Sequence, residues 1–201
     1  MSTTIETVTI TRPLKLIALL CGTFVIILLV LALCSTEWLI AAGWRQGLFL
    51  HCIEEGAPQP LPFNMKKPAG CYQTEDRAYL QATSTLFILA FLSDVFGVVS
   101  TAVGLKMRLQ QNKNQWYKLA VVSLTIALGL LLVALIVYPT CFAAELSTSN
   151  RTVWKFGWAY GVGWGSVIFL FGAITLLMLD KESEQIYYRE REIVQYNTAQ
   201  V

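Results

Sequence analysis

Two cysteines, Cys52 and Cys71, are the residues whose type and spacing most clearly predict a chemical bond in this chain. Both lie between the first two of four long apolar segments, in a loop that we place outside the cell. In an oxidising compartment such a pair forms a disulfide, and closing a loop of this length stabilises a small fold by about 3 kcal/mol in the chain-entropy model. We therefore predict a bridge between them, with two free thiols as the alternative.

The other candidate groups favour packing over catalysis. Cys34 and Cys141 both lie near the predicted outer boundary of the membrane, where buried free thiols are favoured over a second bridge. Cys21 lies inside the first apolar segment, where a small core residue is favoured over palmitoylation. His51 is the only histidine, and a metal site would need more ligands than its loop supplies. We predict neither a metal nor a cofactor.

Asp94 is the only acidic residue within the apolar segments. It shares a helix face with Ala90 and Gly97, so we expect its carboxyl group to face the interior of a bundle. Thr23 and Thr125 lie at a comparable predicted depth and are candidates to hydrogen-bond it. Because no second ionisable group is available for a relay, a structural polar contact is favoured over proton or ion transport.

Composition points to a membrane protein. The chain has 201 residues, of which 55% are hydrophobic, and its formal net charge is +2. Each apolar segment provides the roughly 20 residues that a helix needs to cross about 30 Å of hydrocarbon. The first segment is longer than the apolar core of a signal peptide, which favours a retained span. The small net charge gives no reason to expect nucleic acid as a partner.

We predict an all-α four-helix membrane bundle with a small extracellular antiparallel β-sheet in the first loop. Basic residues concentrate at both ends of the chain and in the middle loop, and the positive-inside rule places these parts in the cytoplasm. The predicted order is an N-terminus (1–13), span one (14–34), outer loop one (35–79), span two (80–105), an inner loop (106–118), span three (119–139), outer loop two (140–157), span four (158–179) and a cytoplasmic tail (180–201).

The first outer loop contains three predicted strands. Residues 38–40 and 47–53 are apolar, aromatic and β-branched, and 41–43 separate them. The proline-rich stretch 57–62 predicts an exposed loop, and 71–73 a returning strand. So small a sheet has little core and would depend on its disulfide.

Small residues mark the fourth span. Gly157, Gly161 and Gly165 recur every four residues and lie on one helix face, which lets another helix approach closely. Packing within the bundle is favoured over a contact between copies in a homo-oligomer. Trp158 is predicted at the outer membrane interface, and Pro139 is predicted to end or kink the third span.

Two further sites lie in polar segments. Asn150 opens an Asn-Arg-Thr sequon in the second outer loop, where it is either glycosylated or an unoccupied polar loop residue. The tail is predicted to be largely disordered, with helix near the membrane. Its C-terminal Val201 is a candidate ligand for a PDZ domain by strand addition, with an unstructured end as the alternative.

The series Trp38, Gly47-Leu48-Phe49, Cys52 and Cys71 resembles the first loop of the claudin and peripheral-myelin-protein superfamily. Phe49 stands where claudins have tryptophan, and the gaps between motif residues differ from those of typical claudins. These departures argue against a claudin-type paracellular pore.

Other segments, 13–16, 137–142 and 156–165, are similar to one branch of that superfamily. It contains brain cell membrane protein (transmembrane protein 47), VAB-9 and PERP. The resemblance implies a plasma-membrane protein of lateral cell–cell contacts, without enzymatic activity. It also implies association with cadherin-based adherens junctions, desmosomes or invertebrate epithelial junctions.

The sequence therefore predicts a non-enzymatic junction protein that organises adhesion complexes and links them to the cortical cytoskeleton. Its expected partners are the lipid bilayer and cadherin, catenin or polarity scaffold proteins. The alternative is an auxiliary subunit of an ion channel or receptor, like the calcium-channel gamma relatives that share this fold. Connexin-like and tetraspanin-like proteins are disfavoured because their cysteines fall in different loops.

Overall fold

The computed structural model describes residues 13–58, 67–74, 77–107, 110–146 and 154–199. Most of these residues lie in four α-helices that are long and apolar enough to cross a bilayer. A segment in lipid must satisfy its own backbone hydrogen bonds, and a helix does so. The helices are α1 (Pro13–Cys34), α2 (Ala78–Lys106), α3 (Gln110–Leu146) and α4 (Trp158–Ala199).

Two of the helices extend beyond the predicted spans. α3 begins within the predicted inner loop 106–118, continues through Pro139 and ends at Leu146. Proline removes one helical hydrogen bond but leaves the helix free to continue where the released carbonyl finds another donor. α4 continues to Ala199, so the tail that the sequence predicts as largely disordered is helical along most of its length.

The loop between α1 and α2 and the loop between α3 and α4 contribute to one antiparallel sheet. The first loop supplies four strands and the second loop supplies a short fifth strand, in the order β4-β3-β2-β1-β5. The strands are β1 (Leu39–Ala41), β2 (Trp44–Gln46), β3 (Leu50–Ile53), β4 (Gly70–Gln73) and β5 (Lys155–Phe156). The predicted fold class, a four-helix bundle with a small antiparallel sheet, is confirmed.

The strand boundaries differ from the predicted ones in two places. Residues 44–46 form a strand that the sequence did not predict, and residues 47–49 form a turn instead of the start of a strand. The β1–β2 turn contains Gly43 at a φ of 71°, which favours glycine. A Cβ atom there would also collide with Ala57, so the turn is closed by a neighbouring segment.

The two faces of the sheet have different surroundings. On the inner face, Trp44, His51 and Ile53 are buried against the bundle. On the outer face, Arg45 and Cys52 lie opposite each other in β2 and β3, and both are partly exposed. This alternation is what a sheet covered on one side requires.

The sheet lies where α1 ends and where α2 and α4 begin, and we call this the sheet end of the bundle. Between α2 and α3, Gly97 lies against Leu124. At the opposite end, the ammonium group of Lys15 lies 4.3 Å from the centre of the Tyr117 ring. That ring packs against Gly104 of α2, so three helices meet there.

Candidate functional site

The sheet is closed by the predicted disulfide. Cys52 in β3 lies directly opposite Cys71 in β4, and their sulfur atoms are bonded. The prediction of this bridge is confirmed. The other three cysteines, Cys21, Cys34 and Cys141, carry free thiols, so no second bridge forms.

Trp38 fixes the sheet to the helices. Its side chain is fully buried, and its indole Nε1 donates a hydrogen bond to the carbonyl oxygen of Ala32 at 2.7 Å. That carbonyl belongs to the last turn of α1, where no helical N–H is available to it. The indole ring also contacts Phe87 of α2 at 5.0 Å and Tyr138 of α3 at 5.1 Å between ring centres. One side chain therefore joins the first loop to three helices.

The Gly47-Leu48-Phe49 motif forms the turn between β2 and β3, and its three residues have different roles. A Cβ atom at Gly47 would collide with the backbone of Ser35, just past the end of α1, so only glycine fits here. Leu48 is buried, whereas Phe49 is 43% exposed. The motif therefore packs the turn against the end of α1 and leaves the ring of Phe49 exposed.

The second loop docks onto the first through Gly157. Its N–H donates to the carbonyl oxygen of Trp38 at 2.9 Å, and a Cβ atom there would collide with the backbone of Glu37. The sequence predicts this glycine as a helix-packing residue, and that prediction is wrong. Gly157 instead lets the start of α4 meet the first loop where β5 joins β1.

Tyr160 compensates for the proline in α3. Pro139 has no N–H to donate to the carbonyl of Leu135, four residues earlier. The hydroxyl of Tyr160 donates to that carbonyl at 3.0 Å, and the Tyr160 ring stacks on Phe156 with 4.4 Å between ring centres. Its ring also contacts Trp38 at 6.1 Å. We call the five-stranded sheet with Trp38 and the 47–49 turn the platform.

A model of the PMP-22/EMP/MP20/Claudin family matches residues 13–175. The match covers the first three predicted spans, the loops between the spans and most of the fourth span. The chain belongs to this family. With four helices long and apolar enough to cross a membrane, it is a multi-pass membrane protein.

The outer face of this claudin-family platform carries an ion-pair network that the sequence analysis did not identify. The guanidinium group of Arg45 lies 2.9 Å from a carboxylate oxygen of Glu37 and 2.8 Å from one of Glu54. The hydrogen bond to Glu37 and the charge of Glu54 raise the pKa of Arg45 above its ordinary value. Since all three side chains are partly exposed, the network orients the strands more than it stabilises them.

The remaining glycines of the predicted α4 stripe have no close neighbour among the described residues. No atom lies within 4 Å of a Cβ placed on Gly161, and Gly165 meets only Leu28 at 4.0 Å. Among the described residues, Gly161 therefore packs against no other helix, whereas Gly165 makes an ordinary contact with α1. The close approach between α4 and α3 occurs instead at Gly163, against Leu135.

Asp94 is fully buried, as its spacing predicts, but its predicted partners are wrong. Within the described part of the chain, neither carboxylate oxygen has a hydrogen-bond partner. Thr23 and Thr125 are exposed, and each donates to a carbonyl of its own helix, Leu19 or Val121. A threonine hydroxyl can bond the carbonyl four residues earlier, and helical phase turns both of these away from Asp94.

The polar contact between helices is made beside Asp94 by two serines. The hydroxyl of Ser93 donates to the carbonyl oxygen of Ser123 at 2.9 Å. The hydroxyl of Ser123 donates to the carbonyl oxygen of Ser93 at 2.6 Å. This reciprocal pair joins α2 to α3 inside the spans. Interhelical hydrogen bonds of this kind hold helices together in lipid.

Two predicted sites, Asn150 and Val201, lie outside the described residues. Among the described residues, no group of three or more His, Cys, Asp or Glu side chains could hold a metal ion. The arrangement that the structure does bring together is a surface held rigidly on the bundle, with polar and charged groups on its outer face.

Proposed function

We propose that this chain is a non-enzymatic plasma-membrane protein of cell–cell junctions, and that its platform contacts a protein in the same or the apposed membrane. Family membership supports a membrane protein without catalytic activity. The observation that carries the proposal is the construction of the platform from both outer loops. Trp38 and Gly157 hold it against the helices, while Arg45 and Cys71 remain accessible on its outer face.

A rigid surface suits protein contact because little conformational entropy is lost when a partner binds. The disulfide, the Trp38 cap on α1 and the pairing of β5 with β1 each restrict the platform from a different side. None of these features places a nucleophile beside a general base, which hydrolytic chemistry would need. The platform is therefore suited to recognition.

We further propose that both termini lie in the cytoplasm and that the tail binds scaffold proteins. The 20 helical residues that follow Leu179 would extend roughly 30 Å from the end of the span at 1.5 Å per residue. A PDZ domain that binds the C-terminal Val201 by strand addition is one such proposed partner. Cadherin, catenin or polarity scaffold proteins are the proposed partners, as in the branch that the sequence resembles. With both termini in the cytoplasm, the loop that contains Asn150 lies outside the cell, and we propose that Asn150 is glycosylated there.

The alternative function is that of an auxiliary subunit of an ion channel or receptor. One observation favours it: the exposed helix face at Gly161 offers a surface on which a helix of another membrane protein could pack. The same face would serve a homo-oligomer. Co-purification with one channel, and altered gating when the chain is depleted, would distinguish this alternative.

The test is proximity labelling from the tail in an epithelial sheet, together with staining of the untagged protein. The proposal predicts enrichment at cell borders and a labelled set dominated by cadherin, catenin or polarity proteins. A variant with both Cys52→Ser and Cys71→Ser should lose border enrichment, and a Cys34→Ser variant, as the matched control, should keep it. Uniform intracellular staining of the wild type would overturn the proposal, and a labelled set dominated by one channel would favour the alternative.

A further inference from the structure

The platform has one apolar end and one polar end. The turn at 47–49 lies at the end nearest the membrane, because Gly47 meets Ser35 just past α1 and the N–H of Thr74, shortly before α2, donates to the carbonyl of Phe49 at 2.9 Å. α1 ends one residue before Ser35, and α2 begins four residues after Thr74. The turn is therefore held between the ends of two spans.

Two large apolar side chains are exposed at this end. Phe49 is 43% exposed and Leu50 is 44% exposed, although they flank a sheet whose inner face is well buried. Near the other edge of the sheet, Phe156 is 45% exposed and Trp158, the first residue of α4, is 50% exposed. We call Phe49, Leu50, Phe156 and Trp158 the proximal rim.

The opposite end of the platform is polar. β3 leads from Leu50 to Ile53 and is followed by Glu54 and Glu55, both of which are exposed. A strand rises about 3.3 Å per residue, so Phe49 and Glu54 are separated by roughly 16 Å along the chain. The polar layer of a bilayer is only about 5 to 8 Å thick on each side. If the sheet stands with the 47–49 turn at the hydrocarbon boundary, the side chains of Glu54 and Glu55 therefore reach beyond the polar layer into water.

The proximal rim is continuous with the lipid-facing surface of the spans. Val30 and Leu31, in the last turn of α1 before Ser35, are 42% and 46% exposed, as side chains in contact with lipid would be. Trp164, six residues further along α4 than Trp158, is also 37% exposed. Aromatic side chains prefer the interface between hydrocarbon and headgroups.

We propose that the β2–β3 turn enters the outer leaflet, where Phe49 and Leu50 contact phospholipid at the boundary between acyl chains and headgroups. The first loop is then anchored to the bilayer directly, in addition to its attachment through Trp38. Together with Phe156 and Trp158, these contacts hold the start of β3 and the β5 edge of the sheet at the membrane. The acidic end around Glu54 and Glu55 is left as the part that faces the extracellular space.

The experiment places the photoreactive residue p-benzoylphenylalanine at position 49 of the full chain, reconstituted in phosphatidylcholine nanodiscs. Position 55, at the polar end, is the matched control. After irradiation, intact mass measurement should find a phosphatidylcholine adduct at position 49 and none at position 55. An adduct yield at 49 equal to that at 55, or cross-linking of 49 to a second copy of the chain instead of lipid, would overturn the proposal.

A second variant tests the same contact without the bulky p-benzoylphenylalanine, which could disturb folding. Phe49→Trp is a conservative change, and brominated phosphatidylcholine should quench a larger share of its fluorescence than in the wild type. Glu55→Trp should add fluorescence that the brominated lipid does not quench. If both variants gain only unquenched fluorescence, the turn lies outside the leaflet and the proposal fails. Neither readout depends on a junction partner, so the result is separate from that of the proposed function.

Discussion

The hydroxyl of Tyr160 donates a hydrogen bond to the carbonyl oxygen of Leu135 at 3.0 Å. That carbonyl is the one whose helical partner Pro139 cannot supply, because proline has no N–H. A residue at the start of α4 thus allows α3 to continue beyond the proline to Leu146, where it supports the sheet. The stacked contact between Phe142 and Trp44, at 6.5 Å between ring centres, lies on this extension.

Removing the Tyr160 hydroxyl should therefore destabilise the protein only while the proline is present. We expect Tyr160→Phe to lower the free energy of unfolding by about 1 to 3 kcal/mol, the cost of leaving a buried carbonyl unpaired. In a Pro139→Ala background the new N–H can bond Leu135, and the same change should cost much less. Denaturant unfolding of the four proteins in one detergent measures the coupling. Equal costs in both backgrounds would show that the bond does not compensate for the proline.

The disulfide should stabilise the platform without being needed by the spans. We expect the Cys52→Ser, Cys71→Ser double variant to lose about 3 kcal/mol from the platform, since closure of the loop no longer restricts the unfolded state. Limited proteolysis should cut the first loop faster while the spans remain protected. The control is Cys141→Ser, which removes a free thiol and should leave the cleavage rate unchanged. Equal cleavage rates in the double variant and the wild type would contradict this role.

Two glycines, one just before α4 and one within it, should respond differently to alanine. Gly157→Ala places a methyl group against the backbone of Glu37, so the start of α4 must shift and β5 should separate from β1. Gly161→Ala meets no neighbour and should leave stability unchanged or slightly raised, because alanine has the higher helix propensity. The melting temperatures of the two variants provide the comparison. A larger loss for Gly161→Ala would mean that its helix face is occupied by another chain.

Asp94 should prove dispensable for stability. Both of its oxygens are buried without a hydrogen-bond partner among the described residues, so Asp94→Asn removes no such bond. We expect its melting temperature to equal or exceed that of the wild type. Ser123→Ala, at the neighbouring contact between α2 and α3, should lower it because the bond from the Ser123 hydroxyl to the carbonyl of Ser93 is lost. A large loss on Asp94→Asn would reveal a partner for the carboxyl group.

Much of this fold could be predicted from the sequence because its signals are local. Four apolar segments of span length and a cysteine pair in one loop are sufficient to predict the bundle and the bridge. The burial of Asp94 also followed from helical spacing alone. Each of these predictions depends on the residues of a single helix or loop.

The parts that could not be predicted depend on contacts between distant segments. The strand at 44–46 contains charged Arg45, whose carboxylate partners stand eight residues before and nine residues after it. β5 has only two residues and forms because β1 presents a free edge. Thr23 and Thr125 have suitable depth but the wrong helical phase, which is set by how the helices pack together.

Pro139 is a signal in the sequence that points to the Tyr160 contact. A proline within a span releases a specific carbonyl, here that of Leu135, and a buried donor must be found for it. Tyr160 lies near the sheet end of the next helix and carries a hydroxyl group, so the pair could have been proposed from the chain alone. The helix would then have been extended past Pro139.

The central claim is that the platform lies outside the cell while the tail lies within it. Staining of intact and permeabilised cells tests this with one epitope inserted after Gly56, an exposed glycine that a Cβ would leave uncrowded, and a second epitope at the C-terminus. The account predicts that intact cells stain for the first epitope and that the second stains only after permeabilisation. Staining of the C-terminal epitope in intact cells, with the first one protected, would contradict it.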